Sequence, residues 1–306
     1  MRIVSLVPHA TELLFALGAG DEVVGVTHEC DFPSRAVDCR RVTRDRLPSG
    51  LSTAEIDLAV RERTQRGEAI YALDVEGLRE LAPDLIVTQA LCPVCAVSFD
   101  DVRALADTLP SRPRLLALDP RTVQDTLADV ATVADAIDRP DRGAVLVAQA
   151  NARIERVRRA VHAQRTPSVA ALEWLDPVYL AGHWTPQIIE FAGGREATGV
   201  SRAGEPSQRS TWETVARARP EVVVVMPCGF DAPGALREAD LHAHELSLLG
   251  SERTVAVDAS AYFSRPGPRL IDGLELLAHV LHPEQIPNAP GVALLVDTPS
   301  SAVALG

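Results

Sequence analysis

Lysine is absent from this 306-residue chain; all 30 basic residues are arginine, set against 42 acidic ones for a formal net charge of −12. With no basic run, the chain does not carry the electrostatic footprint of a nucleic-acid or anionic-membrane binder. Cysteine is scarce and odd in number, at Cys30, Cys39, Cys92, Cys95 and Cys228. An odd number in so long a chain argues against a secreted disulfide framework. No apolar run approaches the ~18–20 residues that a membrane span needs. The opening MRIVSLVPHATELLFALGAG has no basic leader, no separate apolar segment and no small-residue cleavage site, so a cytoplasmic protein is expected. G-x-S-x-G, the P-loop, G-x-G-x-x-G after the first strand and H-E-x-x-H are all missing, and no enzyme class is indicated.

What is present is an alternation of short β-branched runs with helical stretches, the pattern of an α/β fold with mostly parallel strands. Strands are expected at 2–6, 23–26, 84–89 and 114–118, and in a second series at 168–174, 178–182, 221–227 and 254–258. Between the series, residues 141–165 lack proline and place Val147, Ala150, Ile154, Val157 and Val161 at alternating spacings of three and four. That stripe predicts one long helix with a narrow buried seam and no loop hinge. The halves also rhyme: LRELAPDLIVTQ (78–89) and WETVARARPEVVVV (212–225) each read as short helix, Pro, acidic residue, apolar strand. The expected domains are an N-terminal α/β lobe (1–140), a connecting helix (141–165), a C-terminal α/β lobe (166–285) and an irregular tail (286–306). The segment RRVTRDRLPSGLSTAEIDLAVRERTQRGEAI (40–70) adds a helix at TAEIDLAVRERTQ.

Ligands of α/β sheets bind outside the carboxyl ends of the strands. There the chain places His9 after Pro8, His28, Glu29 and Cys30 after the second strand, and Gln89, Cys92 and Cys95 after the third. Trp174, His183, Trp184, Phe230, Tyr262 and Phe263 follow later strands. Aromatic residues are only 4% of the chain, and their concentration at these loops suits the flat apolar face of a macrocycle. The C-P-V-C at 92–95 has three readings. Small soft residues lining a pocket wall come first, a zinc site completed by Cys30 and His28 second, and a redox dithiol at a helix start third. His242, His244, His279 and His282 are expected on the surface or tail.

RIVSLVPHATELLFALGAGDEVVGVTHECDFP, LRELAPDLIVTQ, VYLAGHWTPQIIEFAGG, TWETVARARPEVVVV and DASAYFSRPGPRLIDGLELLAHVL occur in this order across residues 2 to 282. Together they resemble the helical-backbone (class III) substrate-binding proteins of ABC importers, and among them the vitamin B12 receptors. The resemblance implies two Rossmann-like lobes joined by one long helix. It also implies ligand contacts around His183 and Trp184, and docking of Glu76 and Glu213 onto arginines of an ABC permease. The function expected is non-catalytic binding of a corrinoid (cobalamin-like) or related metal chelate in a cleft between the lobes, as an intracellular carrier, buffer or sensor. A siderophore or haem is the alternative ligand. A metal-dependent protein or enzyme using Cys30, Cys92 and Cys95 is the alternative class.

Overall fold

The computed structural model describes residues 1–89 and 98–297. The chain divides into two units, one of Met1–Pro120 with Gln124–Gln149 and one of Arg121–Val123 with Ala150–Gly306.

The first unit contains β1 (Ile3–Ser5), α1 (Pro8–Ala16), β2 (Val23–Val26), β3 (Arg40–Arg41), β4 (Thr43–Asp45), α2 (Thr53–Gln65), β5 (Tyr71–Leu73), α3 (Val75–Leu81), β6 (Leu85–Gln89), α4 (Phe99–Thr108), β7 (Arg114–Leu118) and α5 (Val123–Ala136). Its main sheet is parallel, in the order β3-β2-β1-β6-β7, with Ile3 opposite Leu85 and Val4 opposite Ile86. The central strands β1 and β6 are buried along their whole length, as in a sheet covered on both faces. Their side chains alternate between two cores. Ile3, Leu85 and Val87 pack with Leu13, Leu14 and Leu17 of the α1 region and Val130 and Val133 of α5, while Val4 and Ile86 pack with Leu78, Val102 and Leu109. α1 starts on Pro8, whose fixed φ and missing N–H cost nothing at a first helical position.

The segment after β3 folds apart from this sheet. β4 and β5 form their own antiparallel pair, and between them α2 spans the residues expected of it. Its start is local chemistry: Ser52 accepts from the Glu55 N–H while the Glu55 carboxylate accepts from the Ser52 N–H. Only Thr53 of this helix is buried.

The helix α6 (Pro140–Val161) begins in the first unit and continues into the second. Gly143 lets it approach α5 closely, since a Cβ there would lie 2.5 Å from that of Ala134. Leu146 and Val147 pack on the first unit's core, and Ile154, Val157 and Val161 are buried farther along. In the second unit Arg153 reaches Asp272 at 2.5 Å and Glu275 at 2.7 Å, and Arg156 also pairs with Glu275.

The second unit continues with β8 (Ser168–Leu175), β9 (Val178–Leu180), α7 (Thr185–Phe191), β10 (Arg195–Glu196), β11 (Gln208–Arg209), α8 (Trp212–Ala218), β12 (Val222–Val225), α9 (Ala232–Leu241), α10 (Ala243–Leu248), β13 (Arg253–Val257), α11 (Ala259–Tyr262), α12 (Leu270–Leu281) and β14 (Ala293–Leu295). β8, β12 and β13 are parallel neighbours at the centre, with β10 parallel to the start of β8. β9 folds back on β8 as a hairpin, and β11 and β14 close the edges, all antiparallel. The tail therefore differs from the irregular arm expected, because Ala293–Leu295 pair with Val255–Val257 along an otherwise open edge. His282 also departs from its expected surface position: it is buried, with Nε2 3.3 Å from the Gly193 carbonyl.

The rhyme between the halves is structural. Asp74 accepts from the Gly77 N–H at the start of α3, and Thr211 accepts from the Thr214 N–H at the start of α8. Each helix stops on a left-handed residue, Ala82 or Arg219, directly before a proline and the next strand. Among the described residues no helix is long and apolar enough to cross a membrane.

Candidate functional site

In the first unit, the turn after β2 is organised by threonines. The Thr43 hydroxyl of β4 donates to Thr27 Oγ1 at 2.8 Å and accepts from the His28 backbone N–H at 2.9 Å. His28 Nδ1 lies 2.7 Å from the same Thr43 oxygen. The His28 ring meets Tyr71 of β5 at 5.2 Å, tilted by 54°, and the Tyr71 hydroxyl lies 3.4 Å from Glu29 Oε1. Burial pushes the His28 imidazole below its ordinary value; Asp45 opposes that shift and Arg41 reinforces it. His9 is buried in the first turn of α1, and Gln89 is buried at the end of β6.

Cys30 is placed differently from expectation. It is 1% exposed within the core that holds Val7, Ala10 and Val26, with Sγ 3.0 Å from the Thr11 hydroxyl. Cys92 and Cys95 lie outside the described residues. Among the described residues no group of three or more His, Cys, Asp or Glu side chains gathers as a metal site. An open groove of about 550 Å³ lies at the opposite end of this sheet, lined by Arg2, Val23, Arg35, Cys39 and Arg40, and none of the strand-end candidates borders it. Its arginines are engaged, Arg35 with Asp21, Arg40 with Glu80 and Arg2 with the Leu81 carbonyl.

In the second unit, half-buried Trp174 and Phe230 meet edge to face at the ends of β8 and β12, with ring centroids 5.9 Å apart. Between β8 and β11, Ser207 Oγ donates to the Glu173 carboxylate and accepts from the Gly182 N–H at 3.1 Å. Burial raises Glu173 above the ordinary carboxylate value, while Ser207 and Gly182 pull it back. Gly182 is required by close approach, since a Cβ there would lie 2.5 Å from the Glu205 carbonyl. His183 exchanges backbone hydrogen bonds with the same loop, to Glu205 and from Gly204, and adopts φ +50°.

Trp184 and Phe263, expected on the ligand wall, are core residues at 5% and 3% exposure. The Trp184 indole N–H donates to the Phe263 carbonyl at 2.7 Å, tying α7 to the end of α11. Tyr262 remains part-exposed beside Gly291 of the tail. Glu76 and Glu213 occupy equivalent first-turn positions of α3 and α8, and each is exposed and paired one turn on, with Arg79 and Arg217. Residue patterns single out Glu173 with Trp174 at the end of SVAALEWL, but not Thr43, Tyr71 or Ser207, which are marked only by spatial proximity.

Known proteins share this arrangement across nearly the whole chain. The vitamin B12-binding protein of Vibrio cholerae is 21% identical over 280 residues, 90% of this chain and 86% of the relative. An uncharacterized ABC transporter substrate-binding lipoprotein of Bacillus subtilis, YvrC, is 24% identical over 92% of this chain and 80% of its own. Among solved structures, the periplasmic vitamin B12 binding protein BtuF of V. cholerae superposes with a TM-score of 0.65 at 20% identity, covering 92% of this chain and 96% of that one. The periplasmic heme-binding protein RhuT from Roseiflexus sp. RS-1 does so with 0.65 at 23% identity, covering 93% and 98%. These likenesses show the two-unit, helical-backbone fold. The periplasmic binding protein family model matches residues 3–245, and the chain belongs to that family of ABC-importer substrate-binding proteins.

Proposed function

We propose that the chain binds a corrinoid or a related metal chelate reversibly and without catalysis, through the loops at the carboxyl ends of its strands. The observation that carries this reading is the Trp174–Phe230 pair. Two half-buried aromatic rings set edge to face at strand ends present an apolar surface matched to the face of a macrocycle. In the same unit the Glu173–Ser207–Gly182 cluster supplies a fixed polar group for an amide rim. The names of the similar proteins, vitamin B12-binding and heme-binding, support the same ligand class. An intracellular carrier, buffer or sensor role belongs to this proposal and is read by cell fractionation of the native protein.

Calorimetric titration with cobalamins, hemin and ferric siderophores tests the ligand. Trp174→Ala is expected to weaken binding by about 1–3 kcal/mol through lost contact area. If none of these chelates binds below millimolar concentration, the proposal is wrong.

A further inference from the structure

We propose that Glu173 selects, among metal chelates, those rimmed with carboxamides over those rimmed with carboxylates, a corrinoid rather than a haem. The inference rests on the chelate-binding reading above and names the ligand class within it.

The placement of Glu173 comes from one extra residue in β8. Leu172 faces Leu180 across the hairpin, but the next pair is Trp174 with Tyr179, so Glu173 has no opposite residue on β9. A regular strand would send Glu173 and Trp174 to opposite faces, and a bulge cancels one step of that alternation. The core contacts record the cancelled step. Ala170, Leu172 and Leu175 enter the same core, at spacings of two and then three, while Trp174 does not. Glu173, one step past Leu172, and Trp174, one step before Leu175, therefore both turn away from that core. Both are half-buried at the carboxyl end of β8, and the carboxyl lies next to the Trp174–Phe230 pair within one unit.

The carboxyl meets neutral donors only. Ser207 Oγ accepts from the Gly182 N–H at 3.1 Å and gives its own proton to Glu173, and the Gly182 N–H also acts on the carboxyl. Neighbouring elements carry Asp176, Tyr179, His183, Glu205, Arg209 and Cys228, and none of these contributes to its titration. Burial raises Glu173 above the ordinary carboxylate value, and the two donors offset this in part. A desolvated carboxylate with no cation is costly. Glutamine could accept from Ser207 without that cost, so the acid adds something an amide would not.

That addition is discrimination. An ionised carboxyl has about four acceptor sites, and Ser207 and Gly182 leave some of them open. A ligand carboxamide offers N–H donors to the ionised acid and a carbonyl acceptor to the protonated one, so it is matched in either state. A ligand carboxylate has acceptors alone. It is matched only while Glu173 holds a proton and is repelled once the acid ionises. Discrimination therefore grows as pH rises through the raised value of Glu173 and shrinks below it.

Cobinamide and its monocarboxylic acids are the probes, the same macrocycle with one rim amide hydrolysed. At mildly alkaline pH the native protein should bind cobinamide about tenfold or more tighter than at least one of these acids, the ratio narrowing as pH falls. Glu173→Gln should close the gap and abolish its pH dependence, with cobinamide affinity nearly unchanged. The native comparison uses no variant, so it stands even if Glu173→Gln fails to fold. Three results overturn this inference and leave the proposed function standing: equal affinity for cobinamide and every acid at all pH values, an undiminished gap in Glu173→Gln, or binding of hemin or a ferric siderophore but no corrinoid. If the native protein binds no corrinoid, hemin or siderophore, the proposed function fails and this inference fails with it.

Discussion

Replacing Trp184 with alanine should unfold the second unit more readily while leaving the ligand-contacting loops chemically intact. The indole is 5% exposed, and its N–H reaches the Phe263 carbonyl at 2.7 Å. Truncating a buried tryptophan removes its transfer free energy and leaves a cavity, a loss of about 3–5 kcal/mol. Trp184→Phe keeps most of the ring and isolates the hydrogen bond, whose buried carbonyl would go unsatisfied at about 1–3 kcal/mol. The two losses overlap and are not summed. Urea titration followed by circular dichroism reads both variants. For a cooperative unit of 150–250 residues each kcal/mol moves the melting temperature by roughly 2–4 °C, so Trp184→Ala should fall by about 6–20 °C. A loss of stability under about 1 kcal/mol, combined with a large loss of chelate affinity, would refute the core assignment and return Trp184 to the ligand wall.

Asp129 of α5 has its carboxyl pushed up to about 7 by burial, with Asp125 and Asp119 adding to it. A raised carboxyl penalises folding increasingly as pH rises from its ordinary value of 3.8 through 7. Asp129→Asn should therefore be more stable than the native chain at pH 8 and equal to it near pH 3 (both values set by the assay, about one unit outside the titration range), as read by thermal melts across pH. For Glu275, burial works to raise the carboxyl, yet Arg153 and Arg156 hold it below its ordinary value of 4.5. Its contribution is present above that value and lost as pH falls through the lowered one, so Glu275→Gln should lower stability at neutral pH and flatten the acid limb. Glu76→Ala and Glu213→Ala should each change stability by less than about 0.5 kcal/mol, since both pairs are solvent-exposed. If these carboxylates dock onto a permease, the double variant should lose co-purification with it while ligand affinity is unchanged.

Much of this protein was legible from residue order, and the legible parts are those set by local chemistry. α2 begins where Ser52 and Glu55 cap each other, and α3 and α8 stop on left-handed residues before Pro83 and Pro220. A continuous apolar run, buried at every residue, marks β6, and a seam of threes and fours marks α6. The two- and three-residue strands β4, β5, β11 and β14 left no such mark; they exist because a distant partner lies alongside: Thr43 opposite Leu73, Gln208 opposite Leu180, Leu295 opposite Val255. The site divides in the same way. Residue order brought the aromatic residues to the strand ends, but Trp174 and Trp184 look alike there. Only the packing of α7 against α11 turned Trp184 inward and left Trp174 beside Phe230. Cys30 went into the core as a small apolar side chain among Val7, Ala10 and Val26, with the Thr11 hydroxyl 3.0 Å from its sulfur. His28 was visible as a histidine after a strand. Its surroundings were decided by the pairing of β4 with β5, which brings Thr43 and Tyr71 against the ring; groups fifteen and forty-three residues on meet it only once the chain has folded.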